Sequence, residues 1–227
     1  MSAVFVTATG TDIGKTFITT GLIRYLRATE RAVHAIKPIV TGFTPEGYRD
    51  SDPGALLVAL GRPITLEEIE GISPWRLKAP LSPDMAARRE GRAIPFKEVV
   101  EFCRKTSTSY SGTVLIEGIG GVMVPLDEHH TVLDWMSVLR IPIILAAGTY
   151  VGTISHTLAS LEVLARRNLD IAAVAVSESE GSAASLDETI ESISRFADAL
   201  DVIGIPRLSA GSFENPGFAR IAGLISS

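Results

Sequence analysis

Residues 3–16 read Ala3-Val4-Phe5-Val6-Thr7-Ala8-Thr9-Gly10-Thr11-Asp12-Ile13-Gly14-Lys15-Thr16. The stretch is an apolar run followed by a turn rich in threonine and glycine that closes on a lysine. Beyond it Phe17, Ile18, Leu22, Ile23 and Leu26 recur at helical spacing, so the turn joins a buried strand to an amphipathic helix. That is the setting of a phosphate-binding loop. Backbone N–H groups converge on phosphate oxygens, the helix N-terminus adds a positive dipole, Lys15 reaches the outer phosphates, and the Thr16 hydroxyl suits Mg²⁺. Only Gly14-Lys15-Thr16 is strictly on the usual pattern, because the first glycine stands at Gly10, one place late. The strand before and the helix after favour ATP over an ordinary helix start.

Working outward, 227 residues at 46% hydrophobic and 21% charged describe a globular chain able to fill one core, which predicts a single domain over 1–227. A net charge of −5 with 21 Lys and Arg and no basic stripe argues against a nucleic-acid partner. The lone Cys103 shares its apolar spacing with Val99, Val100 and Phe102, which predicts a core residue and a reducing compartment. The first apolar run lacks a basic flank, and 141–147 is too short to span a bilayer. The expectation is a cytoplasmic protein with no membrane partner.

Apolar runs at 32–36, 113–117, 143–146, 172–176 and 202–205 predict further strands, and periodic segments at 52–60, 96–107, 153–166 and 185–200 predict helices. Residues 63–95, rich in proline and glycine, predict an insertion with one or two short helices. Alternation of helices and buried strands predicts an α/β fold: a doubly wound, mostly parallel sheet with helices on both faces, as in P-loop nucleotide hydrolases. In such a sheet the ligand lies at the carboxyl ends of the strands.

Three oxygen-bearing side chains are candidates for Mg²⁺: Thr16, Asp52 and Glu117. Glu117 ends an apolar strand, and Gly118-Ile119-Gly120-Gly121 behind it permits close backbone approach to phosphate. Asp52 precedes Pro53, which is also a common way to start a helix. Lys37, at the end of the second strand, is placed to meet a negatively charged reacting group.

Taken together, Thr9-Gly10-Thr11-Asp12-Ile13-Gly14-Lys15-Thr16, Lys37-Pro38-Ile39-Val40-Thr41-Gly42, Ser51-Asp52, Glu117-Gly118-Ile119-Gly120-Gly121 with Pro125-Leu126, Asp134-Trp135 and Ser155-His156 resemble the dethiobiotin synthetases over most of the chain. The resemblance implies a reaction in which 7,8-diaminopelargonate takes up CO₂ as an N-carbamate. The carbamate oxygen attacks the γ-phosphorus of MgATP, and the second amine closes the ring. It implies that Lys37 and Lys15 act on the anionic groups and that Thr16, Asp52 and Glu117 hold Mg²⁺. ATP would be bound by Asp12, Ile13, Gly14, Lys15, Thr16, Phe17, Asp52, Glu117, Gly118, Ile119, Gly120, Ser177, Glu178, Pro206, Arg207 and Leu208. The substrate would be bound by Thr41 and by the helix start Gly152, Thr153, Ile154 and Ser155, in a pocket at a homodimer interface. Ala8 stands where the family often has its first glycine, Ser177 where it usually has an asparagine that reads adenine, and Arg207 where an apolar residue is common. These departures imply looser base selectivity, since one hydroxyl cannot make the paired contacts of an amide.

His129-His130 has no third ligand at metal spacing and is read as a solvated loop. Trp75 and Trp135 are read as packing residues, and His156 is left without a role. The rival readings are a nucleotide-switch ATPase, which usually carries an extra lysine early in its loop, and an ATP-dependent ligase on another amine or carboxylate. Thr9 to Ile13 contain no lysine.

Overall fold

The computed structural model describes residues 2–208 and 212–225. Six parallel strands form the main sheet: β1 (Ser2–Ala8), β2 (Val33–Ile36), β5 (Thr113–Glu117), β6 (Ile143–Ala147), β7 (Ile171–Ser177) and β8 (Val202–Ile205). They lie in the order β2-β5-β1-β6-β7-β8. Strand β5 and strand β6 are buried along their whole length, as the apolar runs require of a parallel sheet covered on both sides. The chain winds from β1 toward β2 and β5, then crosses back to β6, β7 and β8. The winding direction therefore reverses at β1, and open α/β sheets bind their ligands at such a reversal.

Because all six strands are parallel, each delivers its carboxyl end to the same edge. The loop after β1, Lys37 after β2, Glu117 at the end of β5, Ser177 at the end of β7 and Pro206 after β8 therefore meet there. Helix α1 (Lys15–Ala28) starts directly from Gly14, whose φ of 103° is left-handed and suits glycine alone.

Helix α2 (Asp52–Leu60) has the expected bounds, but its cap is Ser51, whose hydroxyl accepts from Gly54 N at 3.3 Å. With the cap supplied by Ser51, the Asp52 carboxylate in the first turn is left for the site. The insertion holds α3 (Leu66–Ile72), α4 (Pro83–Arg89) and the short strand β4 (Trp75–Arg76), which pairs with β3 (Ile39–Val40) from earlier in the chain. Helix α5 (Phe96–Ser109) and helix α7 (Thr153–Arg166) match the periodicity.

The segment expected to be helical over 185–200 is helical only as α8 (Leu186–Ser194); the chain then turns, and Asp198 takes a left-handed φ of 49°. Helix α6 (Val132–Leu139), with a reciprocal Thr131–Asp134 capping box, and α9 (Pro216–Leu224) were not read from the sequence. Helix α9 packs on α1, setting Phe218 edge-on to Phe17 at 6.2 Å. Trp135 lies edge-on to Phe5 at 4.9 Å beneath the sheet, and Cys103 is buried in the same core. No helix among the described residues is long and apolar enough to cross a membrane.

Candidate active site

A cavity of about 720 Å³ opens at the carboxyl edge. Its walls hold the loop 11–17, Lys37 and Thr41, Asp52 at the start of α2, and Ile119 and Gly120 after β5. Residues 80–83 (Pro80, Leu81, Ser82, Pro83) close the far side and were not foreseen. They are held there by backbone pairing: Leu77 N donates to Val40 O at 2.8 Å and Gly42 N to Ala79 O at 3.2 Å. The two prolines around Leu81-Ser82 are the only signal in the sequence, and they mark a non-helical turn without saying where it lies.

Beneath the cavity is a charged cluster. Lys37 Nζ lies 2.6 Å from Glu117 Oε1 and 2.7 Å from Asp52 Oδ2. The Thr16 hydroxyl donates to the same Glu117 Oε1 at 2.7 Å. Lys37 is buried and Glu117 is 0% exposed, while Asp52 stands half-exposed at the mouth. Burial alone would depress the Lys37 pKa, but the charges of Glu117 and Asp52 overcome it and hold the ammonium above its ordinary range. Burial pushes Asp52 up, and Lys37, with help from the Thr16 hydroxyl, brings it below the usual carboxylate value.

Lys15 has no such partner. Its Nζ donates to Gly10 O at 2.9 Å, and burial, with the Lys37 charge nearby, lowers its pKa from 10.5 to about 8 against the pull of the carboxylates.

The donors fit a hard divalent cation. Thr16, Asp52 and Glu117 present oxygen atoms of the kind Mg²⁺ takes, and Glu117 Oε2 is buried with no hydrogen-bond partner among the described residues. An orphaned carboxylate oxygen in a fully buried residue asks for a cation or a donor.

A second recess of about 450 Å³ adjoins the first across Asp12, Ile13, Gly14 and Phe17. Ser177, Glu178, Ser179, Glu180, Arg207 and Leu208 form its other walls. Glu178 accepts from Arg207 N at 3.0 Å, and the Arg207 side chain pairs with Glu180 at 3.3 Å across the rim. Ser177 packs so tightly on Gly14 that a Cβ there would lie 2.9 Å from its Oγ.

Not every chosen residue reaches a cavity. Gly118 does not line either one; a Cβ on it would sit 2.8 Å from the Phe5 ring, so its smallness serves packing under β1. Gly152, Thr153, Ile154 and Ser155 also lie outside both. The Thr153 side chain is buried, with its hydroxyl donating to Gly148 O at 2.7 Å and its N–H to Tyr150 O at 3.1 Å. Ile154 and Ser155 lie in the first turn of α7, where backbone N–H groups have no acceptor within the helix. His156 takes part in a hydrogen bond of 2.9 Å between its Nδ1 and the Tyr150 hydroxyl, which lies 3.4 Å from Thr9 Oγ1 in the loop. His130 stacks on Phe96 at 3.9 Å and bonds to Asp127.

Fold and loop together define a P-loop nucleotide-binding protein. A family model described as an AAA domain matches residues 2–213. The chain is 46% identical over 200 residues to an ATP-dependent dethiobiotin synthetase of Acidiphilium cryptum, covering 88% of this chain and 90% of that one. It is 43% identical over 215 residues to the ATP-dependent dethiobiotin synthetase of Caulobacter vibrioides strain NA1000, covering 94% and 95%. Among solved structures it resembles the cell-division ATPase MinD of Pyrococcus furiosus, with a TM-score of 0.53 at 14% identity, covering 99% of this chain and 98% of that one. A likeness at that identity is one of fold alone. The chain belongs to the dethiobiotin synthetase family of ATP-dependent ligases, enzymes of biotin biosynthesis.

Proposed function

We propose that this enzyme converts 7,8-diaminopelargonate, CO₂ and ATP to dethiobiotin, ADP and phosphate. One amine adds to CO₂ and releases a proton, giving an N-carbamate. A carbamate oxygen displaces ADP from the γ-phosphorus, giving a carbamic-phosphoric anhydride. The second amine then attacks the carbonyl carbon, phosphate leaves, and the lost proton completes the cyclic urea. The carbamate, the triphosphate and the transition state are all anionic, so the protein's task is to position them and to stabilise charge.

The observation that carries this reading is the pair of buried lysines at one cavity, Lys15 and Lys37, set against Thr16, Asp52 and Glu117. Lys15 and the N–H groups of 11–16 would hold the phosphates, and Lys37 the carbamate and γ-phosphate. Thr41, on the cavity wall, would hydrogen-bond the diamine or the carbamate. Thr16, Asp52 and Glu117 would hold Mg²⁺, which when bound screens the phosphate charge. The recess at Ser177 would take the base. Val40, Ile119 and the prolines and leucine of the 80–83 turn give the cavity its apolar walls.

The remote carboxylate of the substrate would reach Ile154 and Ser155 from a second copy of the chain. The reason is that this helix start does not face the cavity of its own chain, and that Val151 beside it is 90% exposed. A cytoplasmic homodimer is therefore part of the proposal. The test is phosphate release from MgATP with bicarbonate, with and without 7,8-diaminopelargonate, and mass spectrometry of the product. Diamine-dependent turnover to the cyclic urea is expected. ATP hydrolysis indifferent to the diamine would overturn the substrate assignment.

A further inference from the structure

The ammonium of Lys37 occupies the oxygens that the metal assignment requires. Its Nζ touches Glu117 Oε1 at 2.6 Å and Asp52 Oδ2 at 2.7 Å. Mg²⁺ bonds oxygen at about 2.1 Å and demands near-octahedral geometry. A divalent ion and an ammonium in contact with the same two oxygens compete for one space, and their like charges repel across it.

Access points the same way. Glu117 is 0% exposed and is capped on Oε1 by Lys37 and by the Thr16 hydroxyl, while Oε2 has no hydrogen-bond partner among the described residues. The carboxylate is buried and does not line the cavity, whereas Lys37, in contact with it, does. The backbone of Lys37 is pinned on both sides: its N–H donates to Ile72 O at 3.1 Å, and its carbonyl accepts from Ser73 Oγ at 2.6 Å. Only the side chain is left to move, and it already borders the cavity that Lys15, Thr41 and Gly120 also line.

We infer that Lys37 is the resident counter-cation of the Asp52–Glu117 pair, and that a divalent cation taken by these carboxylates displaces its ammonium into the cavity. The inference rests on the metal assignment proposed above. It makes one lysine serve in two states. Before the metal loads, Lys37 bridges two carboxylates, Glu117 fully buried and Asp52 half-exposed, and offsets part of their mutual repulsion. Afterwards its charge is delivered to the reacting anions, so a site without metal is also a site without its second cation.

The test is binding of Mn²⁺, read from the electron paramagnetic resonance signal of the free ion, to nucleotide-free and ADP-saturated protein. Wild type is expected to hold Mn²⁺ weakly without nucleotide and firmly with ADP. Lys37→Met, which removes the resident charge, is expected to hold Mn²⁺ about tenfold or more tighter without nucleotide, as relief of like-charge competition requires. Lys37→Arg, which keeps a cation, gains nothing. Equal affinity of Lys37→Met and wild type, alongside normal binding of Mn²⁺ by the wild-type ADP complex, would overturn the displacement and leave the metal assignment standing. Absence of Mn²⁺ binding even with ADP would remove the metal assignment and the inference with it.

Where Lys37→Met does not fold, wild type decides. In protein carrying ¹³C-lysine and saturated with ADP, addition of Mg²⁺ is expected to shift the Lys37 ε-methylene resonance. A resonance unmoved at saturating metal overturns the inference.

Discussion

Lys37 Nζ and Glu117 Oε1 stand 2.6 Å apart, joining the end of β2 to the end of its neighbour β5 at the floor of the cavity. Both groups are out of water, so neither tolerates loss of the other. Replacing Glu117 by Gln keeps the shape and removes the charge. Breaking a buried pair in this way costs roughly 3 kcal/mol of stability. Turnover should fall about 10²-fold or more, since charge arrangement is the main catalytic device of such a site. Urea unfolding and steady-state kinetics of Glu117→Gln check both.

Lys15 sets a pH dependence for nucleotide binding. In the free protein its pKa is lowered from 10.5 to about 8 by burial and by Lys37. Bound phosphate favours the ammonium, so the pKa of the complex lies higher. Affinity is then full below about pH 8 and falls as pH rises through it, by up to about tenfold per unit until the pKa of the complex is reached. Calorimetric titration of ATP at neutral and alkaline pH should show this slope. Lys15→Arg, whose charge persists, should flatten it.

His34 should govern acid sensitivity. It is buried in β2, stacked on Tyr110 at 3.8 Å, and burial with the nearby Arg62 charge lowers its pKa from 6.5 to about 4. Between those values the unfolded chain binds a proton that the native protein refuses, so stability is lost as pH falls from 6.5 and levels off below 4. After allowance for residual hydration, the loss is about 2 kcal/mol. Urea unfolding across this range should show it in wild type and not in His34→Phe, which preserves the stacked ring.

Ser177 should make base selection loose. Its hydroxyl can donate or accept, so amino and keto edges of a base satisfy it alike. ATP, CTP and GTP are expected to compete within about tenfold of one another, the range a site without paired polar contacts achieves. Ser177→Asn should widen the gap in favour of ATP, provided the longer side chain turns away from Gly14 into the recess. Equal exclusion of CTP and GTP by wild type would refute the idea.

Val151 should report on assembly. It is a large apolar side chain at 90% exposure beside Gly152, where the proposed partner meets the helix start. Sedimentation should give a dimer for wild type, and Val151→Asp should shift it toward monomer and raise the KM for the diamine. A monomeric wild type at assay concentration would remove the homodimer from the proposal.

Strand-forming runs such as 113–117 and 143–146 were legible because a strand buried on both faces must be apolar throughout. The loop at 7–16 was legible because phosphate binding needs glycine, lysine and a hydroxyl close together in sequence. Helix α8 was read too long because its apolar spacing continues past Ser194, whereas the chain turns there and Asp198 adopts a left-handed backbone. The β3–β4 pair escaped because two-residue strands carry no period. Its consequence, the wall at 80–83, escaped with it.

Local order along the chain by itself determined the parallel α/β fold, the loop that cradles phosphate, and the residues able to bear charge, because each depends on short-range spacing. Tertiary structure alone decided what those residues do to one another. Glu117 reads in sequence as a carboxylate at a strand end, and becomes a fully buried anion only when β5 is set beside β1 and β2. Asp52 reads as a helix cap until Ser51 takes that place. Lys37 and Glu117 are 80 positions apart, and no spacing rule links them. Their contact arises because parallel strands bring distant carboxyl ends to one edge, where the low dielectric of the interior compels opposite charges to pair.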